Sequence, residues 1–447
     1  MSLATEVRRV LEGNAVVVAD GRYARPARAT YPHQWLWDSC FHARIWAALG
    51  EPARAHDELR ALFRAQVTSG LERGMVPHMT LFGGTPAEAA QDPNGAAQHA
   101  RDAALWGSPR ASSITQPPIM AEAVRDVGDA ALQRALFEPL CAAYDWWLAR
   151  RDPRGEHLYV CHHVWESGAD ATPRADGAFA ALLATGRVPR AIANGTINPT
   201  AKKRPELLAA RFLMLEDLQE IDAAERDGAL TSPAADARRL ALFGHVAVEI
   251  QAHLVTNLRA LADLAARLGQ PARGVPYRRE ADAICDAVNA RLWDDAAGMY
   301  VDLWGDPARA VTVKTYAPFI ALHAPGLVPP DRARRLIAAL ADPSTFATRW
   351  PVPTVARNEA VFDADEYWRG STWINVNWFI VRGLALHGAI AEARALATRT
   401  IDLVTSAGLR EYYRADGEGP PVGFGPTDFG WSGLALDLAR MLETELA

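Results

Sequence analysis

Helical periodicity runs through almost the whole of this 447-residue chain, and it leaves few architectures open. Apolar residues recur at i, i+3, i+4 and i+7, with alanine between them, over 55–66, 130–149, 206–221, 235–268, 277–292, 332–341, 373–386, 389–404 and 431–446. Strand-like alternation is scarce. Its clearest case, 299–304 after the turn 294–298, reads as one arm of a short hairpin. About a dozen amphipathic helices must each bury a stripe, and two concentric rings bury them all, the inner ring being covered nearly all round. The expected fold is therefore all-α, an (α/α)6 barrel with small β-hairpin insertions, over 1–447 as one domain. A superhelical repeat array is the alternative, but no fixed period with a repeated motif is visible.

Composition narrows the function. Hydrophobic residues make up 49% and charged residues 22%, enough for a large core and no case for disorder. Lys+Arg 47 against Asp+Glu 53 gives a net charge of −6, and no basic cluster interrupts the chain, so no nucleic-acid partner is expected. No stretch approaches the ~18 consecutive apolar residues of a membrane span, so no membrane partner is expected either. The four cysteines form no CxxC pair, which fits a reducing cytoplasm. GxGxxG, GxxxxGK[ST], GxSxG and HExxH are all absent, which removes most nucleotide enzymes, serine hydrolases and zincins. His162-His163 diverge and lack carboxylates at ligand spacing, so neither a metal site nor another cofactor is expected.

Two long connections, 82–112 and 161–203, interrupt the helices, and structureless loops of that length inside a compact fold are usually functional. In and around them, aromatic residues interleave with carboxylates and amides. Tyr31-Pro32-His33-Gln34-Trp35-Leu36-Trp37-Asp38-Ser39 places Trp35 and Trp37 on one face if extended, with Asp38 or Ser39 as cap of a helix beginning near Phe41. That is either a pair of core tryptophans beside a helix start or a sugar platform. In the platform, indole faces pack on the C–H face of a pyranose and a carboxylate accepts hydroxyl hydrogens. Gln116, after Thr115 and before two prolines, offers a bifunctional amide. In Trp165-Glu166-Ser167-Gly168-Ala169-Asp170, an acid between an indole and small residues can be desolvated until it holds its proton near neutrality, which makes Asp170 a candidate general acid. In 366–378, Ser371 or Thr372 can cap a helix whose Trp373 and Asn377 share a face, below a loop of Tyr367, Trp368, Arg369 and Gly370. Glu411, before Tyr412 and Tyr413, is the second candidate carboxylate.

In this order, YPHQWLWD (31–38), SITQPP (113–118), WESGAD (165–170), EYWRGSTW (366–373) and EYY (411–413) resemble glycoside hydrolase family 63, in its bacterial branch of mannosylglycerate and glucosylglycerate hydrolases. The resemblance implies an (α/α)6 barrel, inversion at the anomeric carbon and no metal in the chemistry. It implies Asp170 as general acid and Glu411 as general base. It also implies a glycone pocket lined by Tyr31, Trp35, Trp37, Asp38, Gln116, Trp165, Tyr367, Trp368 and Trp373. Inversion needs a protonated carboxyl at the leaving oxygen and an ionised one activating water on the opposite face, about 6.5–9.5 Å apart. Asp170 and Glu411 are therefore expected to face one pocket.

The chain departs from that branch on the aglycone side. The branch carries a Tyr-Phe-Pro-Gly element before SITQPP, whereas 82–112 contains no tyrosine. The branch also pairs an Arg-Pro arginine with a tyrosine six residues on, whereas 206–211, after Arg204-Pro205, has none. Asp428-Phe429-Gly430 stands before Trp431, where a glutamine is expected. Lys202, Lys203 and Arg204 are the candidate carboxylate clamp. The leading expectation is an inverting α-glycosidase on a short α-glucoside or α-mannoside, such as a glycerate glycoside. The missing tyrosines keep a neutral α-glucosyl di- or oligosaccharide open. A sugar epimerase would need pocket histidines, and His33 is the only one in these motifs; a non-catalytic sugar-binding protein would not need the second carboxylate.

Overall fold

The computed structural model describes residues 2–19, 21–198 and 203–446. The chain is mostly helical. In order, the helices are α1 (Leu3–Gly13), α2 (Leu36–Ala48), α3 (Pro52–Leu62), α4 (Pro86–Ala89), α5 (Pro93–Trp106), α6 (Met120–Val127), α7 (Ala130–Arg150), α8 (Asp176–Leu183) and α9 (Arg190–Ala193). They continue as α10 (Pro205–Arg226), α11 (Ser232–Phe243), α12 (Val248–Arg267), α13 (Pro271–Arg291), α14 (Ala317–Ile320), α15 (Pro330–Ala341), α16 (Ile374–Leu386), α17 (Ile390–Ala407) and α18 (Leu434–Glu443). Strands are short and antiparallel. Gln34–Trp35 pairs with Met79–Thr80, Trp293–Asp294 with Met299–Tyr300, and Arg410–Tyr413 with Gly423–Thr427.

Burial sorts the helices into two layers. In α2 every residue from Leu36 to Trp46 is buried, and α12 and α16 are covered on nearly all sides. An all-round apolar helix is stable only with neighbours on every side. Accordingly α2 packs on α3, α6 and α18, α12 on α6, α7, α13 and α14, and α16 on α14, α17 and α18. By contrast α15 buries only Ala333 and Leu336 and exposes Arg334 and Arg335. Among the described residues, no helix is long and apolar enough to cross a membrane.

Several local expectations are corrected. The run 235–268 is two helices, α11 and α12, with a strand residue pair His245–Val246 between them. At Gly244 the backbone folds onto the last turn of α11 so closely that a Cβ would meet the Leu240 Cα at 2.9 Å. Apolar residues continue through the break, so periodicity alone does not reveal it. Helix α2 begins at Leu36, so Asp38 and Ser39 lie inside it and cap nothing; the Leu36 amide donates to the His78 carbonyl at 3.0 Å instead. Ser371 and Thr372 do not cap α16, which opens after Trp373. Thr372 exchanges backbone hydrogen bonds with Tyr413 at 2.8 and 2.9 Å, tying the segment before α16 to the strand that carries Glu411. The connection 82–112 contains α4 and α5, the latter capped by Asp92 with Pro93 in its first turn and ended by Gly107 at φ +62°. Among its described residues, the connection 161–203 contains α8, α9 and two 3-10 turns. Met299–Tyr300 closes the hairpin expected there, whereas Asp302–Trp304 joins a separate sheet with His245–Val246 and Arg309–Val311.

Candidate active site

The motifs, dispersed over almost 400 residues, converge on one aromatic cluster. Tyr31 meets Trp35 edge-on at 5.3 Å and Phe429 at 5.5 Å. Trp37 lies 5.6 Å from Trp431 and 6.4 Å from Trp368. Trp368 stacks on Trp373 at 3.8 Å and 14°, and Trp373 stacks on Tyr412 at 5.1 Å. Trp373 has no exposed surface and backs Trp368 and Tyr367 from behind; its Nε1 donates to the Tyr367 carbonyl at 3.0 Å. Trp165 joins through His78, which stacks on it at 6.5 Å and meets Trp35 at 6.5 Å, and through His163 at 4.5 Å. The Gln116 carboxamide oxygen accepts from the Trp37 amide at 3.2 Å, so Gln116 holds the first turn of α2 in place.

Glu411 sits on the strand Arg410–Tyr413 and is 4% exposed. Its Oε1 accepts from the Tyr31 hydroxyl at 2.7 Å and the Tyr367 hydroxyl at 3.2 Å, and its carbonyl accepts from Trp431 Nε1 at 3.0 Å. The facing strand carries Gly425 at φ +72°, where a Cβ would lie 2.4 Å from Glu411 Oε2, so only glycine fits against this carboxylate. Asp170 keeps 29% of its side chain exposed and has Arg211 Nη1 at 3.6 Å. Burial, then the charge of Glu411, and further on that of Asp170, push the Tyr31 phenol up. Burial, neighbouring Tyr31, Glu411 and Asp170 do the same to Tyr367. The two carboxylates are thus brought within electrostatic reach of the same two hydroxyls.

Asp38, 2% exposed in the first turn of α2, shares this field: burial first and the charge of Glu411 second hold its carboxyl well above the usual carboxylate range. Asp38 Oδ1 and Trp368 Nε1 are buried without a hydrogen-bond partner among the described residues. A buried unmatched acceptor and donor beside aromatic faces form the chemical counterpart of a sugar's hydroxyls and C–H face. The Asp170 loop is shaped by Gly168, at φ +75°, where a Cβ would lie 2.3 Å from the Trp37 ring.

Sequence reasoning missed several participants. Arg211, beside Asp170, lies within the regular helical pattern of α10 and carries no local signal. Phe429 packs on Tyr31 and on Trp431, where only the lack of a glutamine had been visible. Of the clamp residues, Arg204 is engaged by Glu366 at 2.9 Å and Lys203 by Asp363, while Lys202 lies outside the described residues. Among the described residues, no group of three His, Cys, Asp or Glu side chains is arranged to hold a metal ion.

Comparison with known proteins places this arrangement. The family profile of the mannosylglycerate hydrolase MGH1-like glycoside hydrolase domain matches residues 31–432, the span that contains all five motifs. The chain belongs to this family. It is 32% identical over 451 residues to a mannosylglycerate hydrolase of Rubrobacter radiotolerans, covering 97% of this chain and 96% of that one. It is 26% identical to a glucosylglycerate hydrolase of Mycolicibacterium hassiacum, covering 94% of each chain. The crystal structure of the family 63 mannosylglycerate hydrolase from Thermus thermophilus with Tris and D-glycerate superposes with a TM-score of 0.79 at 29% identity, covering 98% of this chain and 100% of that one. The protein is therefore a family 63 glycoside hydrolase, an enzyme that hydrolyses glycosidic bonds.

Proposed function

We propose that the chain is an inverting α-glycosidase hydrolysing glucosylglycerate or mannosylglycerate, with Asp170 as general acid and Glu411 as general base. The observation that carries this reading is the shared field of the two carboxylates on Tyr31 and Tyr367, within one aromatic cluster. Glu411 takes a proton from water, and the water oxygen attacks the anomeric carbon. The bond to the glycerate oxygen breaks from the opposite face, and Asp170 delivers its proton to that leaving oxygen. Tyr31 and Tyr367 orient Glu411 and stabilise its ionised form. Tyr31, Trp35, Trp37, Asp38, Gln116, Trp165, Tyr367, Trp368 and Trp373 build the glycone site, with Asp38 accepting sugar hydroxyls and Gln116 and Trp373 supporting the indoles. Helices α2, α6, α12, α14, α16 and α18 are the candidate inner layer of an (α/α)6 barrel formed as one catalytic domain. The four buried free cysteines support a reducing, cytoplasmic setting.

A second reading, a neutral α-glucoside as substrate, is favoured by the pairing of Arg204 with Glu366, which occupies a cation that would otherwise meet a carboxylate. Turnover of glucosylglycerate, mannosylglycerate, kojibiose, nigerose, maltose, isomaltose and trehalose separates the two. Hydrolysis of a glycerate glycoside that falls about 10³-fold or more in both Asp170→Asn and Glu411→Gln is expected, because each variant removes one half of the proton transfer. Full activity in either variant overturns the assignment.

A further inference from the structure

A buried carboxylate that the proposed chemistry does not use lies four residues before Asp170. Glu166 has no exposed surface and sits in the 3-10 turn Val164–Ser167. Its two oxygens accept four hydrogen bonds from three separate segments. Arg151 Nη1 and Nη2, at the end of α7, donate at 2.8 and 2.7 Å, the His162 amide at 2.7 Å and the Thr115 amide at 3.3 Å. Thr115 precedes Gln116, which holds the Trp37 amide. Arg151 is itself fixed, with its guanidinium 4.9 Å from the ring of Trp146 and 5.7 Å from that of Trp147.

We infer that Glu166 is a positioning residue, the anchor that sets Asp170 in register with the glycone site; this rests on Asp170 being the general acid. Stability alone does not explain the choice of residue. A buried ion pair is often replaced by packed apolar side chains at no cost, whereas its directed bonds do specify one arrangement. A carboxylate is required because all four partners are donors, and a glutamine would turn an amide N–H₂ toward two of them. From Glu166 the chain runs through Ser167, whose hydroxyl accepts from the Ala169 amide at 3.2 Å, and Gly168 in the left-handed region, directly to Asp170. Neither residue leaves the turn slack, so a shift at Glu166 is passed to the acid.

The test separates proton donation from all else. Glu166→Gln, Arg151→Lys and, as reference, Asp170→Asn are assayed on whichever glycerate glycoside the wild type hydrolyses and on the α-glycosyl fluoride of the same sugar. Fluoride leaves without a proton, so its hydrolysis depends on Glu411 and hardly on the acid. A displacement near 1 Å costs about 10²-fold in rate, so Glu166→Gln is expected to lose about that much kcat on the glycerate glycoside. On the fluoride it is expected to lose only a fewfold, with KM nearly constant. Arg151→Lys keeps the charge and loses the fork, so the folded protein should show the same substrate bias to a smaller degree. Equal losses on both substrates in either variant overturn the inference, as does an absence of loss in both. If Asp170→Asn itself shows no bias between the substrates, the acid assignment fails and the inference falls with it.

Discussion

Asp38→Asn should make the enzyme more stable and much less active. The Asp38 carboxyl is buried in α2, its Oδ1 lacks a partner among the described residues, and burial and Glu411 hold it well above its ordinary range. The unfolded chain releases this proton near pH 3.9, whereas the folded one retains it to a higher pH. Between the two values the folded state binds more protons than the unfolded state. Asp38 therefore lowers stability as pH rises from about 4 through the folded value, by up to about 1.4 kcal/mol per pH unit, and by a constant amount above it. Asparagine keeps the shape and removes the ionisation. Because asparagine cannot ionise, it escapes this linkage penalty, so a gain of about 1–3 kcal/mol is expected at pH 7.5 and almost none at pH 4. Unfolding entropy of about 2.1 cal/mol/K per residue over 447 residues makes 1 kcal/mol worth about 1 °C. The expected rise in Tm is thus about 1–3 °C at pH 7.5, read as variant minus wild type across pH. Activity moves the other way. Replacing a carboxyl oxygen by an amide N–H₂ leaves a sugar hydroxyl mismatched in a buried site at about 1–3 kcal/mol, so kcat/KM should fall about 10- to 100-fold. A lower Tm at pH 7.5, or a difference that does not change with pH, would refute the reasoning.

Gly168→Ala drives a Cβ into the Trp37 ring at a φ that disfavours side chains, so it should cost about 2–4 kcal/mol of stability and most of the activity, seen in denaturant unfolding and kcat. Tyr31→Phe removes the 2.7 Å bond to Glu411 Oε1 and should lower kcat/KM about 10- to 100-fold with Tm nearly unchanged; an unaffected rate would show that Tyr31 is only a wall. Asp102→Ala frees α5 from His33, whose Nε2 lies 2.6 Å from Asp102 while Nδ1 accepts from the Phe82 amide. Limited proteolysis within 93–106 should accelerate several-fold while the rest of the chain stays resistant, because the helix loses one of its few long-range ties.

The parts of this protein that follow periodicity were legible, and those made by tertiary contact were not. The spans of α7, α10, α13, α15, α16 and α17 follow from apolar spacing to within a few residues at most ends. Helix α2 is apolar nearly all round, so its start carries no amphipathic edge and the cap signal at Asp38 misleads: tertiary bonding to His78 sets the boundary. The Glu411 strand is only four residues long and pairs with a partner whose two glycines and proline weaken its strand signal. The grouping of the candidate site residues was readable, because Trp, Tyr and carboxylates in breaker-rich segments have little structural reason to occur together. The residues that tune it were not. Arg211 beside Asp170 and Gly425 against Glu411 derive their meaning from partners that the fold brings up from another helix, loop or strand, which local pattern does not encode. Nor does the sequence reveal that Lys203 and Arg204, two of the candidate clamp residues, are tied to Asp363 and Glu366.

The central claim is that Asp170 and Glu411 work from opposite faces of one sugar, and the stereochemistry of the first product tests it most directly. Proton NMR is recorded from the first seconds of hydrolysis of glucosylglycerate or mannosylglycerate, before mutarotation mixes the anomers. The account predicts that the β-anomer appears first. Appearance of the α-anomer first would mean retention, and the assignment of Asp170 and Glu411 as the acid and base of an inverting pair would fail.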